Sequence, residues 1–172
     1  TKIIFKKIQK LGKKYKLTYS GMHALDILRL EKKFLHWGHD ITSENNPLEA
    51  GLSFAVSFKK KNNFIGRDAL EKLMINSSKK KLELFSLKDK FKPGKPLILH
   101  DEPIFFQDKI IGFTTSANYS FCYKKNIFLA YINSDFINYT ENQLEIEVEG
   151  KRYKLNFEKN ALHDPDSRAL RS

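Results

Sequence analysis

The stretch Pro103-Ile104-Phe105-Phe106-Gln107-Asp108-Lys109-Ile110-Ile111-Gly112-Phe113-Thr114-Thr115 decides the architecture of this chain. Two short runs rich in β-branched and aromatic residues flank Gln107-Asp108. They read as strands Pro103–Phe106 and Ile110–Thr115 joined by a hairpin turn. The pattern repeats outward from there. Lys81–Leu87 precedes it, and Ile127–Ile132, Leu144–Val148 and Lys154–Phe157 follow, with a second hairpin turn at Glu149-Gly150. Several short strands at this spacing predict a small antiparallel barrel or sandwich over residues 77–172.

Upstream the periodicity changes. Ile4, Ile8, Leu11 and Tyr15 are spaced 4, 3 and 4, the stripe of a helix over residues 2–15 whose other face is almost all Lys. Such a stripe is expected to rest on a core, although a basic amphipathic helix also suits a membrane surface or a protein partner. Tyr15–Tyr19 reads as a short strand. A second helix opens at Gly21, with Leu25 and Leu28 on one face and Lys32 and Lys33 at its C-terminal end. Leu52–Phe58 alternates like a strand, and Gly66-Arg67-Asp68 starts a third helix running through Met74. Asn76-Ser77-Ser78-Lys79 looks like a linker. The expected fold class is therefore α+β, a helix-containing first lobe over 1–76 followed by an all-β lobe over 77–172.

Composition excludes several classes. The chain has 172 residues, of which 41% are hydrophobic and 30% charged, so it is globular rather than disordered. One Cys excludes a disulfide scaffold or a multi-Cys metal site, and no apolar run is long enough to span a membrane. The first residue is Thr1 rather than Met and no signal peptide opens the chain, as in a processed product or a piece of something longer. The net charge of +11 raises nucleic-acid binding, but only five of the 31 basic residues are Arg, the residue whose planar fork reads bases and phosphates. Nucleic acid is thus disfavoured as a partner. A polyanion or a protein bound by the Lys faces stays as the non-catalytic alternative.

Self-contained chemistry is scarce. His36, His39 and Asp40 lie close enough for a metal, but His-x-x-His-Asp is not a diagnostic ligand spacing, and a hydrogen-bonded loop is the better reading. Cys122, between Phe121 and Tyr123, lacks any signal of an activating base. There is no nucleophile elbow and no Gly-rich phosphate loop.

A set of ordered motifs supplies what chemistry alone does not. Gly21-Met22-His23-Ala24-Leu25-Asp26-Ile27-Leu28-Arg29-Leu30-Glu31-Lys32-Lys33, His36-Trp37-Gly38-His39-Asp40-Ile41, Asn46-Pro47-Leu48-Glu49-Ala50-Gly51-Leu52 and Phe64-Ile65-Gly66-Arg67 come in this order. In the β lobe, Ile111-Gly112-Phe113-Thr114-Thr115-Ser116 and Lys125-Asn126-Ile127-Phe128-Leu129-Ala130-Tyr131 follow, and Leu162-His163-Asp164-Pro165 ends the pattern. Together they resemble the folate-binding aminomethyltransferase family founded on the glycine-cleavage T-protein. The His-Trp-Gly-x-Asp version is most similar to the C-terminal region of dimethylglycine and sarcosine dehydrogenases.

That resemblance implies that residues 1–76 are the end of a folate-binding domain and 77–172 the family's C-terminal barrel. It implies tetrahydrofolate as cofactor, a small methylated amine as substrate, and FAD only in an upstream part if the protein is of the dehydrogenase type. It also implies a partner, the rest of the same protein, because the family's aspartate near the reacting centre and its pterin-holding glutamate lie upstream of the matching region. A cytoplasmic setting follows, or the mitochondrial matrix in a eukaryote. Three folate-binding positions carry over. Phe54 matches a position where the family places an aromatic against folate, Leu25 stands where the T-protein carries a folate-binding Arg, and Lys81 aligns with a basic position near the start of the barrel. Leu25 cannot pair with a carboxylate, so that contact is lost or replaced. Arg29, Glu31, Asp40 and Glu49 are expected to fix the helix end and the loop rather than to act in catalysis. No catalytic residue is expected within this chain.

Overall fold

The structure, a computed structural model, describes residues 1–75, 78–139 and 143–171. Helix α1 (Lys2–Gly12) passes into a 3-10 turn (Lys13–Tyr15) and is followed by α2 (Met22–Glu31) and α3 (Arg67–Ile75). Then come six strands: β1 (Lys80–Leu87), β2 (Pro103–Phe106), β3 (Lys109–Ser120), β4 (Lys125–Asn133), β5 (Leu144–Val148) and β6 (Lys151–Glu158). A single turn of helix, α4 (Arg168–Arg171), ends the described chain. The expected boundary and linker at Asn76-Ser77 fall outside the described residues.

The strands close into an antiparallel barrel in the order β1-β4-β3-β2-β5-β6, with β6 pairing back onto β1. Every strand is longer than or equal to its sequence prediction, and β2 and β5 match theirs. Both predicted hairpins form: Gln107 takes φ +55, and Glu149 and Gly150 take φ +51 and +72, the twist that joins right-twisted strands. Gly112 is required by close packing of β3 on β4. A Cβ there would run into the Tyr131 carbonyl oxygen and sit 2.9 Å from Ile132 Cα.

The barrel interior is filled by Phe85, Leu87, Ile104, Ile111, Phe128, Ala130, Ile132, Leu144, Ile146, Val148 and Leu155. Strand β5 alternates buried and half-buried residues, as a strand with one wet face should. Strands β1 and β4 differ, because their outward residues Leu82, Leu84, Ile127 and Leu129 form a second cluster around Leu30 of α2. That explains the near-continuous apolar run Ile127–Ile132: the strand is covered on both faces.

Two predicted strands are corrected. Residues 52–58 hold only a 3-10 turn, Ser53–Ala55. The segment enters through turns closed by Ala50 N–H to Asn46 O and Leu52 N–H to Pro47 O, and the barrel, being closed, offers no edge for it to pair with. Tyr15–Tyr19 is likewise not a strand. Lys16 adopts the left-handed conformation and Leu17 N–H bonds to Gly12 O, which ends α1 and turns the chain. The α1 stripe also differs from expectation, since no residue of α1 is buried.

Candidate functional site at the junction of helix and barrel

The junction is built around one salt bridge. Asp40 is 1% exposed, so its charge must be met internally. The Arg29 guanidinium, on α2, donates to Asp40 Oδ2, to Ser116 Oγ on β3 (2.7 Å) and to Asp26 Oδ1 (2.8 Å). Asp40 also accepts the Thr115 hydroxyl (2.6 Å) and the His36 backbone N–H (2.8 Å). One carboxylate thus joins helix, loop and barrel. The sequence reading gave Asp40 the loop role but not the reach to β3, which links positions 75 residues apart.

Around this hub three further contacts seal α2 onto the barrel. Glu31, buried, accepts the Ser120 hydroxyl at 2.6 Å, and its backbone carbonyl accepts His163 N–H at 2.9 Å. Lys33 bonds Glu83 of β1 at 2.8 Å. Lys32 reaches Asp164 at 3.1 Å, so the C-terminal segment is strapped back over the helix end. Burial works against the Asp164 charge, but the Lys32 ammonium and the backbone N–H groups of Ala169 and Arg168 hold its carboxyl below the usual carboxylate range. Burial, with Glu31 and Cys122 nearby, pushes the Tyr123 phenol up. The Tyr131 phenol is pushed up to about 12 by burial and by Glu49 and Asp40, and its hydroxyl has no hydrogen-bond partner among the described residues. Cys122 is exposed at the β3–β4 turn.

The same elements shape two clefts. The first, of about 570 Å³, lies between α2, the 35–39 loop, the 98–100 loop and β3, and Leu25, Trp37, Leu99 and Ser116 line it. The second, of about 1030 Å³, lies between the 32–35 loop, the 50–54 turn, β1 and the C-terminal segment, and includes Phe54. Leu35 lines both and divides them.

The three sequence-derived folate positions do not converge. Leu25 is on the wall of the first cleft, Phe54 stands 85% exposed at the second, and Lys81 is exposed on β1 and lines neither. The His36-His39-Asp40 constellation does not point inward together either. Asp40 turns to Arg29 and Thr115, while the two imidazoles stay exposed with ring centroids 4.6 Å apart. Among the described residues no group of three His, Cys, Asp or Glu could hold a metal ion. The sequence motif contains Trp37 but gives it no role of its own; the glycine that follows it, Gly38 at φ +89, is the local signal for the turn that presents it on a loop.

Comparison with known proteins agrees with this architecture. Residues 1–60 match the GCVT N-terminal domain, and residues 80–164 match the glycine cleavage T-protein C-terminal barrel domain. The chain is 32% identical over 151 residues to mitochondrial dimethylglycine dehydrogenase of Rattus norvegicus, covering 87% of this chain and 17% of that protein. It is 36% identical over 151 residues to the aminomethyltransferase of Thermoanaerobacter sp. strain X514, covering 88% of this chain and 39% of the relative. It therefore spans under a fifth of the one and about two fifths of the other. In fold it matches the crystal structure of the glycine cleavage system aminomethyltransferase T from Bartonella henselae, with TM-score 0.78 and 21% identity over 91% of this chain and 43% of that one. With both domains matched in chain order, the protein belongs to the glycine cleavage T-protein family, and its six-stranded barrel is that family's C-terminal domain.

Proposed function

We propose that this chain is the C-terminal part of a tetrahydrofolate-dependent one-carbon transferase of the dimethylglycine or sarcosine dehydrogenase type, and that it closes one side of the folate cavity. The observation that carries the reading is the two-sided character of α2. Leu30 is fully buried on the barrel, yet Met22, Leu25 and Leu28 of the same helix stay in solvent. A helix apolar on both sides belongs between two layers. Ile4, Ile8 and Leu11 of α1 and Phe54 extend the same kind of exposed surface, well beyond the scattered apolar residues a monomer normally shows. The second layer is the rest of the family's N-terminal domain, and residues 1–76 are its end.

Tetrahydrofolate, when bound, would supply the nitrogens that carry the one-carbon unit. This chain's residues fit a binding role and no more. Leu25 and Phe54 offer apolar and aromatic surface to a flat ring, and Lys81 offers an ammonium to a carboxylate tail. The acids beside the first cleft, Asp26 and Asp40, are both engaged in ion pairs with Arg29. Catalysis therefore belongs to the complete protein, with FAD in an upstream part if it is a dehydrogenase. The polyanion alternative is weakened by pairing: Lys32, Lys33, Lys125 and Arg152 each face a carboxylate.

Calorimetric titration with tetrahydrofolate tests the reading, using this chain beside a longer chain carrying a full GCVT N-terminal domain. Binding by the longer chain at micromolar affinity is expected. Absence of binding by both sinks the folate reading and favours the polyanion one.

A further inference from the structure

The loop between β1 and β2 carries its lysines on a fixed frame. Phe91 turns inward onto the barrel core and meets Tyr153 of β6 edge-on, with ring centroids 5.4 Å apart. Lys92-Pro93-Gly94-Lys95 closes a turn through Lys95 N–H to Lys92 O at 3.0 Å, and Gly94 at φ +74 supplies the left-handed third position that a Pro-Gly turn requires. Lys88 N–H bonds Lys154 O of β6 at 2.9 Å, and the Asn126 side chain of β4 donates to Lys95 O at 3.3 Å. This anchoring leaves Lys90, Lys92 and Lys95 exposed, together with Lys154 on β6 and Lys124 in the β3–β4 turn. Among the described residues none of these five ammonium groups is in an ion pair, whereas the neighbouring Lys125 is held by Glu158 at 2.6 Å. Asp89 is the one acid between positions 88 and 97.

The β3–β4 turn adds an apolar tip to this charge. It is pinned from the inside, because the Ser120 hydroxyl donates to the buried Glu31 carboxylate at 2.6 Å and accepts Tyr123 N–H at 3.0 Å. Phe121 nevertheless stands 61% exposed, with the Tyr119 ring edge-on to it at 5.3 Å. None of the five lysines lines either cleft or the smaller cavity of about 270 Å³ beside Gly94. The charges are therefore spread over an outer surface and do not converge on a pocket for a small anion. Lysine brings point charge without the planar fork that reads bases and phosphodiesters. A phenyl ring set among lysines suits the boundary between lipid headgroups and acyl chains, where the ring enters the apolar layer and the ammonium groups stay with the phosphates.

We propose that this end of the barrel is a docking surface for an anionic lipid bilayer. Lys90, Lys92, Lys95, Lys124 and Lys154 meet the headgroup phosphates, and Phe121 enters the layer beneath them. The attachment is peripheral and salt-sensitive, since it rests on surface charge and one aromatic side chain. It uses neither cleft, so it is independent of the folate reading.

The test uses the 172-residue chain carrying Ile4→Asp and Ile8→Asp, changes at exposed positions that remove the α1 stripe as a competing anchor. It is sedimented with vesicles of phosphatidylcholine containing about 30% phosphatidylserine, and with vesicles of phosphatidylcholine alone. The expected result is binding to the anionic vesicles at low salt, its loss by about 0.5 M NaCl, and no binding to the neutral ones. Each lysine at such a surface contributes about fivefold, so changing Lys90, Lys92 and Lys95 together to Gln should weaken binding about a hundredfold. Phe121→Ala should weaken it about tenfold with an unchanged melting temperature. Binding that survives the three Gln changes overturns the proposal, because another surface then carries it. Absence of binding to the anionic vesicles overturns it as well. Binding of a single-stranded RNA of about 20 nucleotides that depends on the same three lysines, with the vesicles left unbound, makes nucleic acid the occupant and overturns the bilayer.

Discussion

Replacing Asp40 with Ala should unfasten the first lobe from the barrel. The carboxylate has no solvent exposure and meets the Arg29 guanidinium, the Thr115 hydroxyl and the His36 N–H. Arg29 is itself only 12% exposed. Removing the acid leaves a nearly buried cation with one fewer partner and takes an acceptor from the Thr115 hydroxyl and the His36 N–H. Deleting one partner of a buried pair costs about 3–5 kcal/mol, mostly because the other charge is left uncompensated. Ser116 and Asp26 still hold Arg29, which places the expectation toward the lower end, about 3 kcal/mol. With a urea slope of about 2 kcal/mol per molar, the midpoint should fall by roughly 1.5 M. Trp37 sits three residues from the lesion, so its fluorescence reports the junction, whereas far-UV circular dichroism reports the whole chain. The fluorescence midpoint should move further than the dichroism midpoint, because the barrel keeps its own core. A double change, Arg29→Met with Asp40→Leu, should recover most of the loss, since apolar side chains replace a buried pair at little cost. A loss under about 1 kcal/mol for Asp40→Ala, or no recovery in the double variant, would refute the assignment of Asp40 as the hub.

Two other outcomes follow from the barrel. Gly112→Ala should abolish the soluble folded protein or cut its stability by about 3 kcal/mol or more, because the new methyl meets β4 backbone rather than a yielding side chain; a melting temperature close to that of the parent would contradict the close approach. Tyr131→Phe should lose nothing at neutral pH, since its hydroxyl makes no hydrogen bond among the described residues. The Tyr131 phenol stays protonated up to about 12 in the folded chain, so its contribution is full below pH 10 and is lost as pH rises from 10 toward 12. The Phe variant should therefore show a shallower loss of stability over that window, and an unchanged slope would argue against the raised value.

The barrel was legible in the sequence because each strand carries its own signal. Alternation in Leu144–Val148 and the turn pairs at 107–108 and 149–150 are local properties, and the barrel needs only that such strands pair in order. The first lobe was less legible where the signal depended on neighbours. Leu52–Phe58 has a strand-like alternation, but a strand exists only if an edge accepts it, and closure of the barrel removes that edge. The α1 stripe predicts a helix correctly, yet periodicity alone does not say which surface covers it. Of the site, Leu25 and Phe54 were readable as positions implied by resemblance, while their separation into two clefts by Leu35 was not.

Sequence by itself determined the three helices and the six barrel strands, the hairpin positions, the order of helical lobe and β lobe, and the family motifs, all of which depend on residues close together in the chain. Tertiary structure alone decided which charges meet. Arg29, Asp40 and Thr115 are joined across 87 residues of chain from Arg29 to Ser116, and the pairing exists because closure of the barrel brings β3 under α2. It also decided that Trp37 stands exposed on a fixed loop. Exposure is a property of what packs against a side chain, and no local pattern of residues carries that information.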